Sequence, residues 1–155
     1  ERDLLGLDGA GGDHCLEKPD CCSEICPANR NCYSAHCYAT ARALAQKLEL
    51  GSQQWEVSFQ SRLGRDPWLV PYTDFRINEL PGEGVEKLAV FSPAFTADCL
   101  ETIEELGIRA EEDFRAAGGK ELRLIPSLNS GDSWVQAIEK ILEDTVGGGA
   151  EAEAS

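Results

Sequence analysis

Six cysteines lie close together near the start of this chain, and their thiols are its densest group of reactive side chains. The 155 residues include seven cysteines, of which Cys99 stands apart from Cys15, Cys21, Cys22, Cys26, Cys32 and Cys37. Such thiols could form disulfides, bind zinc with or without His14 or His36, or bind an iron–sulfur cluster. The chain shows no signal-peptide pattern, which disfavours disulfides. The spacings Cys15-x6-Cys22-x9-Cys32-x4-Cys37 leave zinc and iron–sulfur as open alternatives.

Three carboxylates recur at helical spacing further along the chain. Asp98, Glu101 and Glu105 stand at positions i, i+3 and i+7, so a helix would align them on one face. A row of carboxylate oxygens can hold or pass a hard divalent cation, and it can accept protons. The alternative interpretation is a capping box formed by Asp98 and Glu101, with the remaining acids on a solvated face.

A third candidate is the stretch from residue 60 to 74, which contains Arg62, Arg65 and Trp68. A tryptophan beside arginines would suit a flat acidic ligand, because the ring covers its face and the cations bind its carboxylates. A surface loop with one anchoring tryptophan is the competing interpretation.

Helical and extended patterns alternate along the rest of the chain. We predict helices over 40–50, 75–80, 98–117 and 133–146, and strands over 55–59, 87–91 and 122–125. The apolar run 87–91 predicts a strand buried on both faces, and Leu100 and Ile103 are expected on the buried face of the third helix. Strands separated by helices indicate an α/β fold, with a parallel sheet flanked by helices on both faces. Functional groups are then expected in loops 60–74, 92–98 and 126–132, at the carboxyl ends of the strands.

Composition excludes several classes of protein. Twenty-eight acidic residues against fourteen basic ones give a net charge of −14, which argues against a nucleic-acid partner. No apolar run approaches the length of a membrane span. The chain lacks methionine and begins with Glu1, so we expect a fragment whose sheet has a further strand upstream. We expect an irregular Cys-rich segment over 1–37, an α/β domain over 38–146 and a disordered tail over 147–155.

Two stretches together resemble ferrochelatases: WEVSFQSRLGRDPWLVPYTD at 55–74 and SPAFTADCLETIEELGIRAEEDFRAAGGKELRLIPSLN at 92–129. The resemblance runs from about Cys15 to Leu142 and corresponds to the carboxyl-terminal half of that enzyme. The Cys-rich segment resembles the insert of those bacterial ferrochelatases that carry a [2Fe-2S] cluster. This resemblance favours iron–sulfur over zinc and matches the cluster ligands to Cys15, Cys22, Cys32 and Cys37, with Cys21 as an alternative to Cys22.

The resemblance implies a site and a reaction. Ferrochelatases insert Fe²⁺ into protoporphyrin IX or coproporphyrin, which lies in a cleft between two similar α/β domains. Glu101 matches their essential acid and Asp98 the acid one turn earlier, and both are expected to be catalytic. Glu105 matches the next acid on a path for metal or protons that includes Glu101, along a helix that is π-bulged in the family. Arg109 stands where that path can have another acid. The porphyrin pocket is matched by Trp68, Phe95, Gln60, Ser61 and Arg62.

The resemblance also implies what this chain needs from outside itself. The family uses a histidine opposite the acidic helix, and the alignment places it a few residues before Glu1. We therefore expect the chain to need an amino-terminal half and to be inactive alone. A bacterial cytoplasmic location is implied, with peripheral association with the inner membrane left open. The alternative function is a non-enzymatic redox- or metal-sensing α/β module that binds zinc or an iron–sulfur cluster.

Overall fold

A computed structural model describes residues 20–61 and 68–147 of the chain. The chain divides into two compact units, Glu1–Glu79 and Leu80–Ser155, and each unit is described here by itself. Residues 1–19, 62–67 and 148–155 lie outside the described residues. They include Arg62 and the predicted tail from residue 148. No helix in the described ranges is both long enough and apolar enough to cross a bilayer.

The first unit is organised around helix α1, Tyr33–Lys47. We predicted loop up to residue 36, and this is wrong because Cys32 caps the helix: its sulfur accepts a hydrogen bond from the Ala35 N–H at 3.5 Å. The helix therefore begins within the Cys-rich segment and contains Cys37. The short helix α2, Thr73–Glu79, confirms the prediction for this region.

The predicted strand at 55–59 does not form. Its alternating pattern favours an extended chain, but a strand needs a partner along its length, and only Phe59 forms an isolated parallel bridge, to Tyr72. The Phe59 N–H donates to the Pro71 carbonyl at 2.8 Å, and the Thr73 N–H donates to the Phe59 carbonyl at 3.0 Å. These bonds close the base of the loop between residues 60 and 71.

The second unit has a two-stranded parallel sheet. Its elements are a 3₁₀ helix at Leu80–Glu83, β1 at Lys87–Val90, a π-helix at Glu101–Arg109, α3 at Ala110–Ala116, β2 at Glu121–Leu124 and α4 at Asp132–Gly147. Lys87 of β1 pairs with Glu121 of β2, and Val90 pairs with Leu124. The helical connection between the strands confirms the predicted α/β class.

The helical segment after β1 confirms the helix predicted over this region, and it is wound as a π-helix, as the resemblance to ferrochelatases implies. The Ala110 N–H donates to the Glu105 carbonyl, the i→i+5 bond of a π-helix. The wider turn changes which side chains share a face, so the buried ones recur every four residues: Thr102, Leu106, Ala110 and Phe114. The expectation that Leu100 and Ile103 are buried is wrong, since it assumed the period of an α-helix.

Two apolar elements of the second unit remain open to solvent in this chain. Strand β1 alternates exposed and half-buried residues, so the prediction that it is buried on both faces is wrong for this chain. Helix α4 confirms the predicted last helix, yet none of its residues is buried. The side chains that pack tightly lie instead on the π-helix, α3 and β2, with Phe114 at 0% exposure.

Gly119, between α3 and β2, is predicted to be irreplaceable on steric grounds. A Cβ at this position would lie 2.2 Å from the nearest ring atom of the buried Phe114. We expect Gly119→Ala to lower the free energy of unfolding by about 1–3 kcal/mol, the usual effect of overpacking. Urea unfolding of the chain measures this. Gly82→Ala is the matched control, because a Cβ there meets nothing within 4 Å, and equal stability of the two variants would contradict the prediction.

Candidate functional site

The site of the second unit lies where β1 and β2 end. In a parallel sheet the carboxyl ends of paired strands meet at the same edge, so the loops that follow them are neighbours. The Asn129 N–H donates to the Thr96 carbonyl at 2.8 Å and joins the two loops. The first loop leads directly into the π-helix with Glu101 and Glu105. Phe95 lies half-buried in the same loop, in a turn closed by its N–H on the Ser92 carbonyl.

Asp98 is the most heavily hydrogen-bonded carboxylate of this edge. Its Oδ1 accepts from the Ser127 N–H at 3.1 Å and from the Thr102 hydroxyl at 3.3 Å, and its Oδ2 accepts from the Asn129 amide at 2.8 Å. These donors, Asn129 foremost, hold the pKa of Asp98 below its usual range, because they stabilise the ionised form.

Asp98 precedes the helix that carries the other two acids. The helical assignment begins at Leu100, so the helix predicted from residue 98 starts two residues later than expected. Glu101 and Glu105 do lie on the π-helix, a little less than one turn apart. Only this pair keeps the helical relationship that a path for metal or protons requires.

Glu101 stands at the start of the π-helix with its side chain exposed. A hydrogen bond from the Cys99 thiol, and a second from its own backbone N–H, hold the pKa of Glu101 below its usual range. The carboxylate is therefore ionised at neutral pH, the form that ligates a metal ion or accepts a proton. Cys99, which stands apart from the other cysteines in the sequence, thus contacts Glu101.

Arg109, at the far end of the π-helix, is paired with an acid. Its Nη2 donates to both carboxylate oxygens of Glu104, at 2.8 and 3.0 Å. The pair lies at the surface and adds little stability. Its consequence is electrostatic, because Glu104 offsets the positive charge that interrupts the acidic sequence after Glu105.

The predicted porphyrin residues of the first unit lie on the closed loop after Phe59. The Trp68 indole N–H donates to the Gln60 carbonyl at 2.9 Å, which fastens the ring while 39% of the residue stays exposed. Ser61 has a φ of +60°, an uncommon conformation for a residue with a side chain. An aromatic ring held by its polar edge and open on its apolar surface can cover a flat ligand.

The described thiols of the first unit lie around the start of α1. Cys32 is buried at 3% exposure and packs with Cys22 and Ala35. Burial raises the pKa of Tyr38, and the thiols of Cys22, Cys37 and Cys21 act in the same direction, in that order, so all three lie near its hydroxyl. Cys15 lies outside the described residues. None of the six cysteines in the described ranges forms a disulfide.

Cysteine thiolates are the usual ligands of an iron–sulfur cluster, but these thiols are not arranged around one metal position. Among the described residues, no three His, Cys, Asp or Glu side chains are arranged to hold a metal ion. Burial raises the pKa of the Cys22 thiol to about 11, so Cys22 is protonated at neutral pH and must lose its proton to become a ligand.

Backbone contacts hold this Cys-rich loop in place. The buried Asn29 amide donates to the carbonyls of Cys21 and Glu24, at 2.7 and 2.8 Å, and its oxygen accepts from the Cys26 N–H at 2.7 Å. The His36 Nε2 lies 2.7 Å from the Arg30 carbonyl oxygen and donates to it. That bond orients the ring of the only histidine in the described ranges and leaves Nδ1 as the nitrogen that could bind a metal ion, so the zinc alternative that uses His36 stays open.

The predicted site residues are divided between the two units. Phe95, Asp98, Glu101 and Glu105 share the sheet edge of the second unit, whereas Gln60, Ser61 and Trp68 belong to the first unit. Sequence reasoning missed Asn129, Ser127 and Thr102, the partners of Asp98. The loop 126–132 was predicted to matter, and an asparagine in it was the available signal, because asparagine tolerates the positive φ of +50° found at Asn129.

Loss of the Cys99 thiol should raise the pKa of Glu101 toward its usual range, because Cys99→Ala removes a donor to the ionised form. An NMR titration of the Glu101 carboxyl carbon measures the shift. Cys21→Ala, in the other unit, is the matched control and should leave that titration unchanged. An unchanged Glu101 pKa in Cys99→Ala would contradict the prediction.

The sequence of this chain is similar to those of known proteins of one family. Residues 18–146 match the ferrochelatase family. The chain is 52% identical over 138 residues to a ferrochelatase of Pseudomonas fluorescens, covering 88% of this chain and 38% of that protein. A ferrochelatase of Ectopseudomonas mendocina is 49% identical over 144 residues (92% and 42%), and one of Coxiella burnetii is 50% identical over 125 residues (81% and 35%). The chain spans about two fifths of the length of these relatives, and it belongs to the ferrochelatase family.

Proposed function

We propose that this chain is the acidic half of a ferrochelatase active site, which inserts Fe²⁺ into protoporphyrin IX or coproporphyrin. The observation that carries the proposal is the π-helix Glu101–Arg109, which follows the carboxyl end of β1 and presents Glu101 and Glu105, in a chain whose residues 18–146 match the ferrochelatase family. π-Helical turns interrupt α-helices mostly at functional sites, since their hydrogen bonds are less favourable than those of an α-helix.

The reaction requires Fe²⁺ to replace two protons. Two pyrrole N–H bonds break, four nitrogen–iron bonds form, and the charge balances because one dication enters as two protons leave. An ionised carboxylate such as Glu101 can ligate Fe²⁺ or accept a proton. Glu105 can bind the same metal ion or proton further along the helix. The histidine expected upstream would serve the opposite face of the porphyrin.

The porphyrin is proposed to lie against two apolar rings and a cationic loop. Trp68 and Phe95 would cover the macrocycle, and Gln60, Ser61 and Arg62 would line the loop beneath it. Support comes from the fastened, part-exposed indole of Trp68 and from the exposed position of Ser61. A porphyrin brings a large flat apolar surface with acidic side chains, which matches this combination of rings and cation.

We propose further that Cys15, Cys22, Cys32 and Cys37 hold a [2Fe-2S] cluster. Support comes from the packing of Cys22 with Cys32 and from the thiols gathered near Tyr38. The cluster would cross-link the loop to α1 and could respond to redox state, while metal insertion itself needs no electron transfer.

A chimaera tests the enzymatic proposal. The matched region of the Pseudomonas fluorescens ferrochelatase is replaced by the aligned residues of this chain, and metal insertion into protoporphyrin is followed by absorbance. We expect an active chimaera, a loss of about a hundredfold or more in kcat for Glu101→Gln, and little change for the exposed control Glu112→Gln on α3. The 155-residue chain alone should show only the uncatalysed rate.

Two results would contradict the proposal. One is a folded chimaera that binds porphyrin without inserting metal, which would favour the non-enzymatic module. The other is full activity in Glu101→Gln, which would leave Glu101 with a structural role only.

The cluster proposal has its own test. The chain purified without oxygen should be coloured and contain iron and sulfide in equal amounts. Cys22→Ser and Cys32→Ser should lose both, whereas Cys26→Ser, an extra thiol in the same loop, should keep them. A colourless protein with stoichiometric zinc would overturn the cluster in favour of the zinc site.

A further inference from the structure

We propose that Asn129 is a positioning residue of the site: together with Asp98 it locks the loop before the π-helix to the loop after β2, and so fixes the first turn that carries Glu101. This inference rests on the proposed function for its catalytic consequence. The lock itself is a property of the chain that can be tested separately.

The two residues bind each other reciprocally. The Asp98 N–H donates to the Asn129 Oδ1 at 2.9 Å, while the Asn129 Nδ2 donates to the Asp98 Oδ2 at 2.8 Å. The residues are 31 positions apart and meet only because β1 and β2 pair in parallel. Asn129 adds two bonds within the same loops, from its N–H to the Thr96 carbonyl at 2.8 Å and from its Nδ2 to the Ser127 carbonyl at 3.1 Å.

The lock continues into the helix through Thr102. This residue is 1% exposed and lies in the first turn of the π-helix, next to Glu101. Its hydroxyl is 3.3 Å from the Asp98 Oδ1 and also accepts from the Cys99 N–H at 3.0 Å. A continuous series of hydrogen bonds therefore runs from Asn129 through Asp98 to the backbone that bears Glu101.

This arrangement separates the roles of the two carboxylates. Both Asp98 oxygens accept hydrogen bonds from protein donors, and Asp98 lies half-buried before the helix. Glu101 is exposed at the start of the helix. Asp98 thus acts through the position of Glu101, and its charge serves to hold Ser127, Thr102 and Asn129.

A reciprocal exchange tests the lock. In the chimaera, Asn129→Asp places two carboxylates face to face, and Asp98→Asn places two amides face to face. We expect each to lower kcat by about ten- to a hundredfold, the effect of a small misplacement of a catalytic group, with KM for porphyrin changed less than about twofold.

The double variant, Asp98→Asn with Asn129→Asp, restores complementary partners. The amide at 98 can donate to the carboxylate at 129, which still accepts the backbone N–H of residue 98, although the bond from residue 129 to the Ser127 carbonyl is lost. We expect it to recover about tenfold in kcat over either single variant, within the usual range of coupling between contacting residues. Asn78→Asp on α2, an exposed position in the other unit, is the matched control and should match the unsubstituted chimaera.

The outcomes separate this inference from the proposed function. A double variant as poor as Asp98→Asn would overturn the inference, because it would mean that the carboxylate at 98 itself acts on metal or proton. An inactive unsubstituted chimaera would contradict the proposed function alone. Hydrogen exchange on the 155-residue chain then decides the lock. Asn129→Ala should speed amide exchange at 98–103 at least about tenfold relative to residues 110–116, and unchanged exchange at 98–103 would overturn the inference.

Discussion

The parallel pairing of β1 with β2 is the constraint on which the second unit depends. Because both strands run the same way, their carboxyl ends and the loops that follow them reach one edge together. Lys87 opposite Glu121 and Val90 opposite Leu124 set the register. A shift of that register would part Asp98 from Asn129, although neither residue lies in a strand. The position of Glu101 is therefore decided by a sheet of two four-residue strands.

The packing beneath the sheet edge follows from the helix that crosses it. Thr102, Leu106, Ala110 and Phe114 form one buried row along the π-helix and α3. Their burial holds one face of the segment, while the Asp98 hydrogen bonds hold its beginning. A carboxylate that must meet a metal ion gains from such support, because it can stay exposed and ionised without being free to move.

Much of this fold was predictable from sequence, for reasons that differ by element. Strands β1 and β2 and helix α4 have strong local patterns, and the structure has them within one or two residues of the predicted bounds. The segment 55–59 carries a strand pattern too, but pairing depends on a partner that no local pattern can supply. Cys32 as a helix cap was missed because cysteine is not among the usual capping residues.

The site was predictable only in part, because some of its contacts join residues that are far apart in the sequence. Carboxylates at helical spacing pointed to Glu101 and Glu105, yet the same spacing wrongly placed Asp98 on the helix. Thr102 and Asn129 are ordinary polar residues in the sequence, and their importance arises only from the 31-residue separation that the sheet closes. The π-helical winding also cannot be predicted from hydrophobic periodicity, since an apolar pattern is ordinarily compared with the α-helical turn.

Because of this π-helical winding, the number of residues in the segment affects the geometry of the site. The nine residues Glu101–Arg109 contain one more residue per hydrogen-bonded ring than an α-helix would use. A single deletion there would let the segment wind as an ordinary α-helix, whose backbone hydrogen bonds are better, and would change the direction of Glu101 relative to Ala110 and Phe114. Every carboxylate, thiol and ring described above would still be encoded, but the acid would face another direction. Between Cys99 and Ala110, the number of residues therefore matters as much as their identity.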